Sequence, residues 1–327
     1  MSHSVSHQLQ ALLQSAAIAP LDHLGWLRIT GEDRVRWLNG MVTNSIQDLA
    51  PGQGNYNFIL SVQGRIQGDA TAFLLEDSIL LETSADRISG LTTLLDRFII
   101  MDDVELAALE NRAGLLVAGP QAAALLHQLG IVQTDLPLLS LQSVAWQESE
   151  LTVIHAHGPL VPRFELWADP ATIAQLTAAL TTAGAVSADD EALHQLRLLE
   201  GTPLYGTDIR DKELPQETAQ TRALHFNKGC YLGQEIVERI RSRGNVHRAF
   251  TALRLEGNLP AAGTVLEAEG KPAGELTSVA SIHLHGSPEP IQLALGYLRR
   301  EAIERRQPIT YPGGTAIPVN IPFPIPS

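Results

Sequence analysis

The segment "NKGCYLGQEIVERIRSR" contains the chain's single cysteine, Cys230, between two glycines. Apolar residues recur at helical spacing after Gly233, so a helix is predicted to begin there. Unpaired N–H groups at a helix N-terminus and the nearby Lys228 both favour a thiolate over a thiol. Cys230 could therefore act as a nucleophile or a metal ligand. A small buried apolar side chain is the alternative interpretation, and the local sequence does not separate the two.

A cluster of arginines follows this cysteine: Arg239, Arg241, Arg243 and Arg248. The chain as a whole is acidic, with a formal net charge of −13, which argues against extended binding to nucleic acid or to an anionic membrane. A local cationic cluster beside a thiol suggests a place for an anionic ligand. The alternative is an ordinary solvated helix face.

Other motifs with known chemistry are missing from the sequence. It contains no Walker-type phosphate loop, no G-x-G-x-x-G after a strand and no H-E-x-x-H. Two histidine pairs, His155 with His157 and His283 with His285, each fall on one face of a predicted strand. Two ligands do not complete a zinc site, so ordinary half-exposed histidines are predicted.

Composition indicates a cytoplasmic protein. One cysteine cannot form an internal disulfide, which fits a reducing compartment. The N-terminal residues lack a basic leader and predict a short amphipathic helix that ends before Pro20. No apolar window is long enough to cross a bilayer, so no membrane association is expected.

The pattern of elements predicts an α+β fold. From Gly25 onward, strand, helix, two strands and helix occur twice, which indicates two interlocked ferredoxin-like halves. The last part of the chain consists of short strands with Gly and Pro turns, which predicts a small β-barrel. The predicted division is a first half from residues 1–110 and 196–246, a second half from 111–195, and a barrel from 247–327.

The octapeptide "KGCYLGQE" resembles the signature of the YgfZ-type folate-binding proteins, relatives of the glycine-cleavage T-protein, an aminomethyltransferase. The preceding loop, "LRLLEGTPLYGTDIRDKELPQE", is similar to the loop of that family in the order of its Arg, Gly, Asp, Pro and Glu residues. The resemblance is strongest from about Leu196 to Arg248. It implies a ring of domains with a C-terminal barrel and tetrahydrofolate, or a one-carbon derivative, held between the halves.

The resemblance also implies a set of ligand contacts. A pterin with a glutamate tail requires a carboxylate for its N–H donors, a cation for the tail and aromatic walls. The residues predicted to supply these contacts are Glu165, Arg197, Tyr205, Lys228, Tyr231 and Gln234. An ordinary surface ion pair is the alternative for the first two.

The function implied is an accessory role in the assembly or repair of iron–sulfur clusters in client enzymes, including enzymes that modify tRNA. One cysteine cannot hold a [4Fe–4S] cluster alone, so Cys230 would bind a cluster transiently with a partner or act by thiol exchange. The expected partners are folate and iron–sulfur client or scaffold proteins.

Two other functions stay open. One is a folate-dependent aminomethyltransferase or demethylase with Asp69 as its acid, although Gly68 stands where the T-protein pattern has the first of two acids and the "G-Y-T-G-E" segment is missing. The other is an RNA-binding module, which rests on the arginine cluster alone because aromatic residues for base stacking are scarce nearby. No stable nucleic-acid binding is expected.

Overall fold

The structure is a computed structural model that describes residues 4–132, 135–244 and 246–325. It contains a five-stranded sheet, a six-stranded sheet and a closed barrel. The predicted α+β architecture with a C-terminal barrel is confirmed.

The described chain begins with α1 (Val5–Gln14) and β1 (Ala17–Pro20). The Ser4 hydroxyl accepts a hydrogen bond from a backbone N–H of the first turn of α1, as expected of an N-cap residue. The predicted short N-terminal helix is present as α1, but it ends at Gln14, and the chain then continues as the extended strand β1. A short apolar run without alternation is ambiguous between a helix and a buried strand.

The first half is an antiparallel sheet with two helices and a 3₁₀ turn at Ala85–Arg87. Its elements are β2 (Leu24–Thr30), α2 (Arg34–Met41), β3 (Gly54–Leu60), β4 (Ile66–Leu74), β5 (Ile79–Ser84), α3 (Ile88–Asp96) and β6 (Glu105–Ala108). The strand order is β3-β4-β5-β2-β6.

The second half repeats this plan around a six-stranded sheet. Its elements are β7 (Ala113–Ala118), α4 (Ala122–Gln128), β8 (Ser140–Trp146), β9 (Ser149–Ala156), β10 (Arg163–Ala168), α5 (Pro170–Thr182) and β11 (Val186–Ser187). The strand order is β11-β1-β7-β10-β9-β8. The N-terminal strand β1 therefore belongs to this sheet and not to the first half, where the sequence division had placed it. It runs antiparallel to β7 and parallel to β11.

A helix, a long loop and a second helix follow. They are α6 (Asp190–Glu200), a loop with 3₁₀ turns at Pro215–Glu217 and Thr221–Ala223, and α7 (Gln234–Arg243). Gly201 ends α6 in the left-handed conformation, with φ of 68°.

The C-terminal part is a closed barrel. Its elements are β12 (Arg248–Gly257), β13 (Val265–Ala268), β14 (Lys271–Ile282), β15 (Ile291–Arg299), α8 (Arg300–Glu304), β16 (Ile309–Tyr311) and β17 (Gly314–Val319). The barrel closes in the order β12-β15-β14-β13-β16-β17.

One hydrophobic cluster joins all three parts. It combines Trp26 of the first sheet, Trp167 of the second and Tyr297 of the barrel, together with buried residues of α1 and α6. The rings of Trp26 and Trp167 meet edge to face, with centroids 5.3 Å apart. The two sheets are therefore held face to face beside the barrel, and the polar cavity described next is enclosed between them.

Candidate functional site

A polar cavity of about 210 Å³ lies between the two sheets. We call it the inner chamber, and its wall includes Tyr56, Asp69, Glu82, Glu165 and Arg222. The first three are on strands of the first half, Glu165 is on β10 of the second half, and Arg222 comes from the long loop. The structure thus brings the predicted residues Asp69 and Glu165 into one wall.

Asp69 is held in place by its neighbours on the first sheet. The Tyr56 hydroxyl donates to Asp69 Oδ2 at 2.6 Å, and the Thr83 hydroxyl donates to the Asp69 backbone oxygen at 2.8 Å. Desolvation raises the pKa of the Asp69 carboxyl above its ordinary value, while the Tyr56 hydrogen bond and the Arg222 charge lower it. The balance favours retention of a proton relative to an exposed aspartate, a condition that suits a proton donor.

The sequence reading missed Arg222. Its guanidinium carbon lies 4.1 Å from the centroid of the Tyr56 ring. A cation therefore packs on the ring whose hydroxyl binds Asp69. Arg222 is the middle residue of the 3₁₀ turn at residues 221–223 and belongs to no motif, so only its position just before the signature could have drawn attention to it.

Glu165 is 94% buried on β10 and accepts a hydrogen bond from the Trp167 indole N–H at 3.3 Å. Glu82 on β5, which the sequence alone did not identify, lines the same chamber. Burial, followed by the charge of Glu165, raises the pKa of Glu82 well above its ordinary value. No sequence signal identifies Glu82, which is the single charged residue of its strand.

A far chamber of about 190 Å³ adjoins the inner one and shares His157 and Arg222 with it. Here the guanidinium of Arg163 contacts Glu200 Oε2 at 3.2 Å. Burial, then the charges of Arg222 and Arg163, lowers the pKa of His157 to about 4. The imidazole is therefore neutral at physiological pH.

An outer chamber of about 420 Å³ lies on the other side, and Asp69, Thr83 and Tyr205 line both it and the inner chamber. The Tyr205 hydroxyl donates to Asp211 and accepts a hydrogen bond from Arg87 Nη2 at 3.1 Å. The predicted aromatic residue Tyr205 thus stands where the inner and outer chambers meet.

Arg197, predicted as a folate contact, does not line any of the three chambers. Its guanidinium donates to Asp208, which is fully buried, and to the Ser278 hydroxyl of the barrel at 2.8 Å. Asp208 also accepts from the Leu204 backbone N–H at 2.9 Å. This arginine joins α6, the long loop and the barrel.

Cys230 is exposed on a loop of residues 227–233, which we call the Cys230 loop. Lys228 anchors one side of the loop, because its Nζ donates to three backbone carbonyls at the end of α2. On the other side, the Leu232 N–H donates to the Gly40 carbonyl at 3.0 Å. The interpretation of Cys230 as a buried apolar side chain is therefore wrong.

The other two signature residues predicted to contact folate, Tyr231 and Gln234, also do not line the three chambers. Tyr231 is buried in an apolar cluster with Phe58 and Val237, and its backbone N–H donates to Gln234 Oε1 at 3.3 Å. Gly233 precedes α7 at φ of 80°, and a Cβ there would lie 2.6 Å from a backbone oxygen of the β3–β4 turn. Only glycine fits this close contact.

Neither Cys230 nor Lys228 belongs to the chamber walls among the described residues. The thiol and the cavity are thus separate sites. The apolar cluster that buries Tyr231 also contains Tyr56 and Tyr205, two residues of the inner chamber wall.

The arginines near Cys230 are paired with acids. Arg239 contacts Glu235 at 2.8 Å, and Arg248 contacts the carboxylate of Glu217 at 3.0 Å. Arg241 pairs with its neighbour Glu238, and the side chain of Arg243 lies outside the described part of the chain. These ion pairs remove most of the free positive charge that the sequence suggested for an anionic ligand.

The described residues contain no metal-ligand cluster and no membrane-spanning helix. Within residues 4–132, 135–244 and 246–325, no three His, Cys, Asp or Glu side chains group as metal ligands. The ring of His155 stacks on Phe164 with centroids 4.7 Å apart, and its Nδ1 lies 2.7 Å from the Leu136 oxygen. No helix in the part of the chain that the structure describes could span a bilayer.

Comparison with known proteins places this geometry in a family. The sequence matches the GCVT N-terminal domain over residues 1–228 and the CAF17 C-terminal β-barrel domain over residues 248–327. It is 26% identical to an aminomethyltransferase of Nostoc sp., over 93% of this chain and 82% of that protein. It is 28% identical to the tRNA-modifying protein YgfZ of Yersinia enterocolitica, over 82% of this chain and 81% of that protein.

A solved structure shows the same fold. The glycine cleavage system aminomethyltransferase T from Bartonella henselae superposes with a TM-score of 0.84 at 21% identity, covering 97% of this chain and 88% of that chain. The resemblance first indicated by the "KGCYLGQE" octapeptide is confirmed by the domain matches. A GCVT domain that covers most of the chain, followed by a CAF17-type barrel, makes this chain a member of the YgfZ/CAF17 family, relatives of the aminomethyltransferases.

Proposed function

We propose that the protein binds tetrahydrofolate, or a one-carbon derivative, between its two sheets and uses Cys230 to assist the assembly or repair of iron–sulfur clusters in client enzymes. One observation carries the proposal: an exposed thiol is fixed on an anchored loop, apart from a cavity lined with acids and aromatic rings. Such a thiol is accessible to a second protein while the cavity is occupied. A reducing compartment such as the cytoplasm would keep it as a thiol.

The residues of the inner chamber fit a pterin ring. A pterin offers ring N–H and amino donors, and the buried Glu165 offers a carboxylate to accept them. Tyr56 and Phe73 supply aromatic wall. The inner chamber alone is smaller than the roughly 300–1,000 Å³ typical of small-molecule sites, so the rest of the ligand would extend into the outer chamber past Tyr205. When bound, tetrahydrofolate supplies ring nitrogens that can carry a one-carbon unit.

An iron–sulfur cluster fits only as cargo. A [4Fe–4S] cluster normally takes four thiolate ligands, and this chain has one cysteine. The described residues also offer no other set of three metal ligands. Cys230 would therefore contribute one ligand while the client or a small thiol contributes the others, or it would act by thiol exchange.

The clients are inferred to include tRNA-modifying enzymes. The support is the name of the Yersinia relative, which is called a tRNA-modifying protein. The acidic chain and its paired arginines argue that contact with tRNA is left to the client.

The test is to express the Cys230→Ala variant in cells that lack their own YgfZ-type protein and to measure the tRNA modification made by an iron–sulfur enzyme. We expect the variant to lose this activity while it folds and binds tetrahydrofolate like the parent protein. Ser242→Ala, at another exposed position near the loop, is the matched control. Full activity of Cys230→Ala would refute the role of the thiol.

A second function, a folate-dependent aminomethyltransferase or demethylase, is favoured by the position of Asp69. Its carboxyl lies in the chamber wall, bound to Tyr56 and with a raised pKa. Relatives named aminomethyltransferase add support. Turnover of an aminomethyl or methylamine donor with tetrahydrofolate, abolished by Asp69→Asn, would establish this function; absence of turnover in the parent protein would exclude it.

A further inference from the structure

We propose that the far chamber is a second ligand site, which binds a small monocarboxylate through the guanidinium of Arg222 while folate occupies the inner and outer chambers. The inference goes beyond folate binding, because it concerns a part of the cavity that the proposed folate site does not use. It gives the protein a place for a small organic acid beside the pterin.

The first observation is that the terminal nitrogens of Arg222 have no partner. Its Nε donates to Gln220 Oε1 at 3.2 Å, whereas Nη1 and Nη2 donate no hydrogen bond within the described residues. Neither of these two nitrogens is sealed inside the protein, so both can be reached from the inner and far chambers that Arg222 lines. The charge of Asp69 acts on Arg222, but the two side chains form no ion pair in the part of the chain that the structure describes.

The packing of the guanidinium leaves these nitrogens available. Its carbon lies over the Tyr56 ring, 4.1 Å from the centroid, so the ring contacts the face of the group. The N–H groups lie in the plane of a guanidinium, as a fork that matches the two oxygens of a carboxylate. Contact with Tyr56 therefore does not compete with an anion at the edge of the group.

The turn that carries Arg222 is fixed by side chains of the first half. The Arg222 carbonyl accepts a hydrogen bond from Asn44 Nδ2 at 2.9 Å, and the Ala223 carbonyl accepts one from the Thr43 hydroxyl at 2.6 Å. A group that is already held in position loses less entropy when a ligand binds. A half-buried cation without a partner is costly, so an anion is the expected ligand.

The wall of the far chamber suits a small anion with a single charge. Glu200 is neutralised by Arg163 at 3.2 Å, and His157 is neutral at physiological pH. Among the described residues of this wall, Arg222 thus carries the one charge that is not balanced. The volume of about 190 Å³ is below the roughly 300–1,000 Å³ typical of drug-sized ligands. A small monocarboxylate meets both conditions.

The test compares acetate with acetamide, a neutral molecule of the same shape, in titrations followed by ligand-observed saturation-transfer NMR. The parent protein is expected to bind acetate roughly 10- to 100-fold more tightly, as for hydrogen bonds to a charged group. Arg222→Met should bring this preference close to unity, and Arg222→Lys, which keeps the charge, should recover part of it. Arg254→Met, which breaks an exposed ion pair of the barrel, is the control and should bind acetate as the parent does.

Equal binding of acetate and acetamide by the parent protein, or an unchanged preference in Arg222→Met, overturns the proposal. If Arg222→Met does not fold, Arg222→Gln replaces it. A preference in Arg222→Gln that is several-fold lower than the parent's then supports the proposal, and an equal preference overturns it.

Competition experiments test the class of the ligand and its place. Inorganic phosphate should bind more weakly than acetate, and tighter binding of phosphate overturns the assignment to a monocarboxylate. Saturating tetrahydrofolate should leave acetate binding intact, and displacement of acetate overturns the second site. In that case a tetrahydropterin without the glutamate tail shows which part of folate contacts Arg222: the pterin if it also displaces acetate, the tail if it does not.

This inference and the proposed function fail separately. Acetate binding can be measured without folate, so a protein that binds acetate through Arg222 but not tetrahydrofolate refutes folate binding alone. A protein that binds tetrahydrofolate but shows no preference for acetate refutes the second site alone.

Discussion

Lys228 Nζ lies 2.6 Å from the backbone oxygen of Asn39, in the last turn of α2. The same ammonium donates to the carbonyls of Val42 and Asn44 at 2.8 and 2.6 Å. A cation at the C-terminal end of a helix satisfies carbonyls that have no partner within the helix and interacts favourably with its dipole. The lysine of the signature therefore fixes the Cys230 loop to α2, and the structure leaves its ammonium no free donor to offer a ligand in the chambers.

Replacing this lysine should destabilise the protein. In Lys228→Met the three carbonyls lose a charged donor, and the free energy of unfolding should fall by about 2–3 kcal/mol. Denaturant titration measures the loss. Lys212→Met is the control, because the Lys212 ammonium is exposed and its ion pair with Glu275 is long, at 3.9 Å. Equal stability of the two variants would contradict the anchoring role.

The reactivity of Cys230 should not depend on folate. The thiol lies outside the chamber walls, so a ligand between the sheets does not cover it. We expect the same rate of alkylation of Cys230 with and without saturating tetrahydrofolate. Strong protection by the ligand would show that the two sites are linked, either directly or through the Tyr231 cluster.

The ion pair of Arg197 and Asp208 should be structural. Arg197→Met leaves a fully buried carboxylate without its partner, which typically costs about 3–5 kcal/mol. The fraction that folds should bind tetrahydrofolate with the parent affinity. Arg254→Met, which breaks the exposed pair with Glu256, is the control and should change the unfolding free energy little. A stable variant with weakened folate binding would restore Arg197 as a ligand contact.

The stability of the protein should decrease in acid through His157. Its pKa is about 4 in the folded protein against 6.5 in the unfolded chain, so the unfolded state binds the proton first as the pH falls. The contribution to stability is complete above pH 6.5 and is lost between pH 6.5 and 4. His157→Gln should flatten the pH dependence of the unfolding free energy in that window. The exposed His285→Gln is the control, and identical profiles for both variants would contradict the assignment.

The hydrogen bond from Tyr56 should lower the pKa of Asp69 and so offset part of the effect of burial. Tyr56→Phe removes the O–H donor, so the pKa of Asp69 should rise further and the free energy of unfolding should fall by about 1–2 kcal/mol. Infrared titration of the carboxyl band measures the first effect. Tyr311→Phe removes a hydroxyl that is bonded within the barrel, and it should leave the titration of Asp69 unchanged.

Local patterns in the sequence were sufficient to predict most of the helices and strands. The strands and helices predicted from Gly25 onward are present, among them α5 with its Asp169 cap, and the short strands of the C-terminal part close into the barrel. Hydrophobic periodicity did not identify β1, because three consecutive buried residues show neither the helical nor the strand repeat. That strand is defined by its partners far along the chain.

Site residues could be predicted from the sequence only where the residue type itself suggests a chemical role. Asp69 and Glu165 are acids on predicted strands, and both reach the inner chamber. Glu82 and Arg222 also reach it, but their importance arises from the contact between two sheets that no local pattern describes. The ion pair of Arg197 with Asp208 was not predictable either, because Asp208 lies in a loop whose path could not be predicted from the sequence.

The position of β1 also bears on how the protein is made. Ala17 pairs with Ala118 on one side and with Val186 on the other. During translation, the sheet of residues 24–108 is complete while both partners of β1 are still unsynthesised. The nascent chain therefore carries a complete first sheet behind an unpaired N-terminal strand, and that strand pairs only when β7 and β11 emerge.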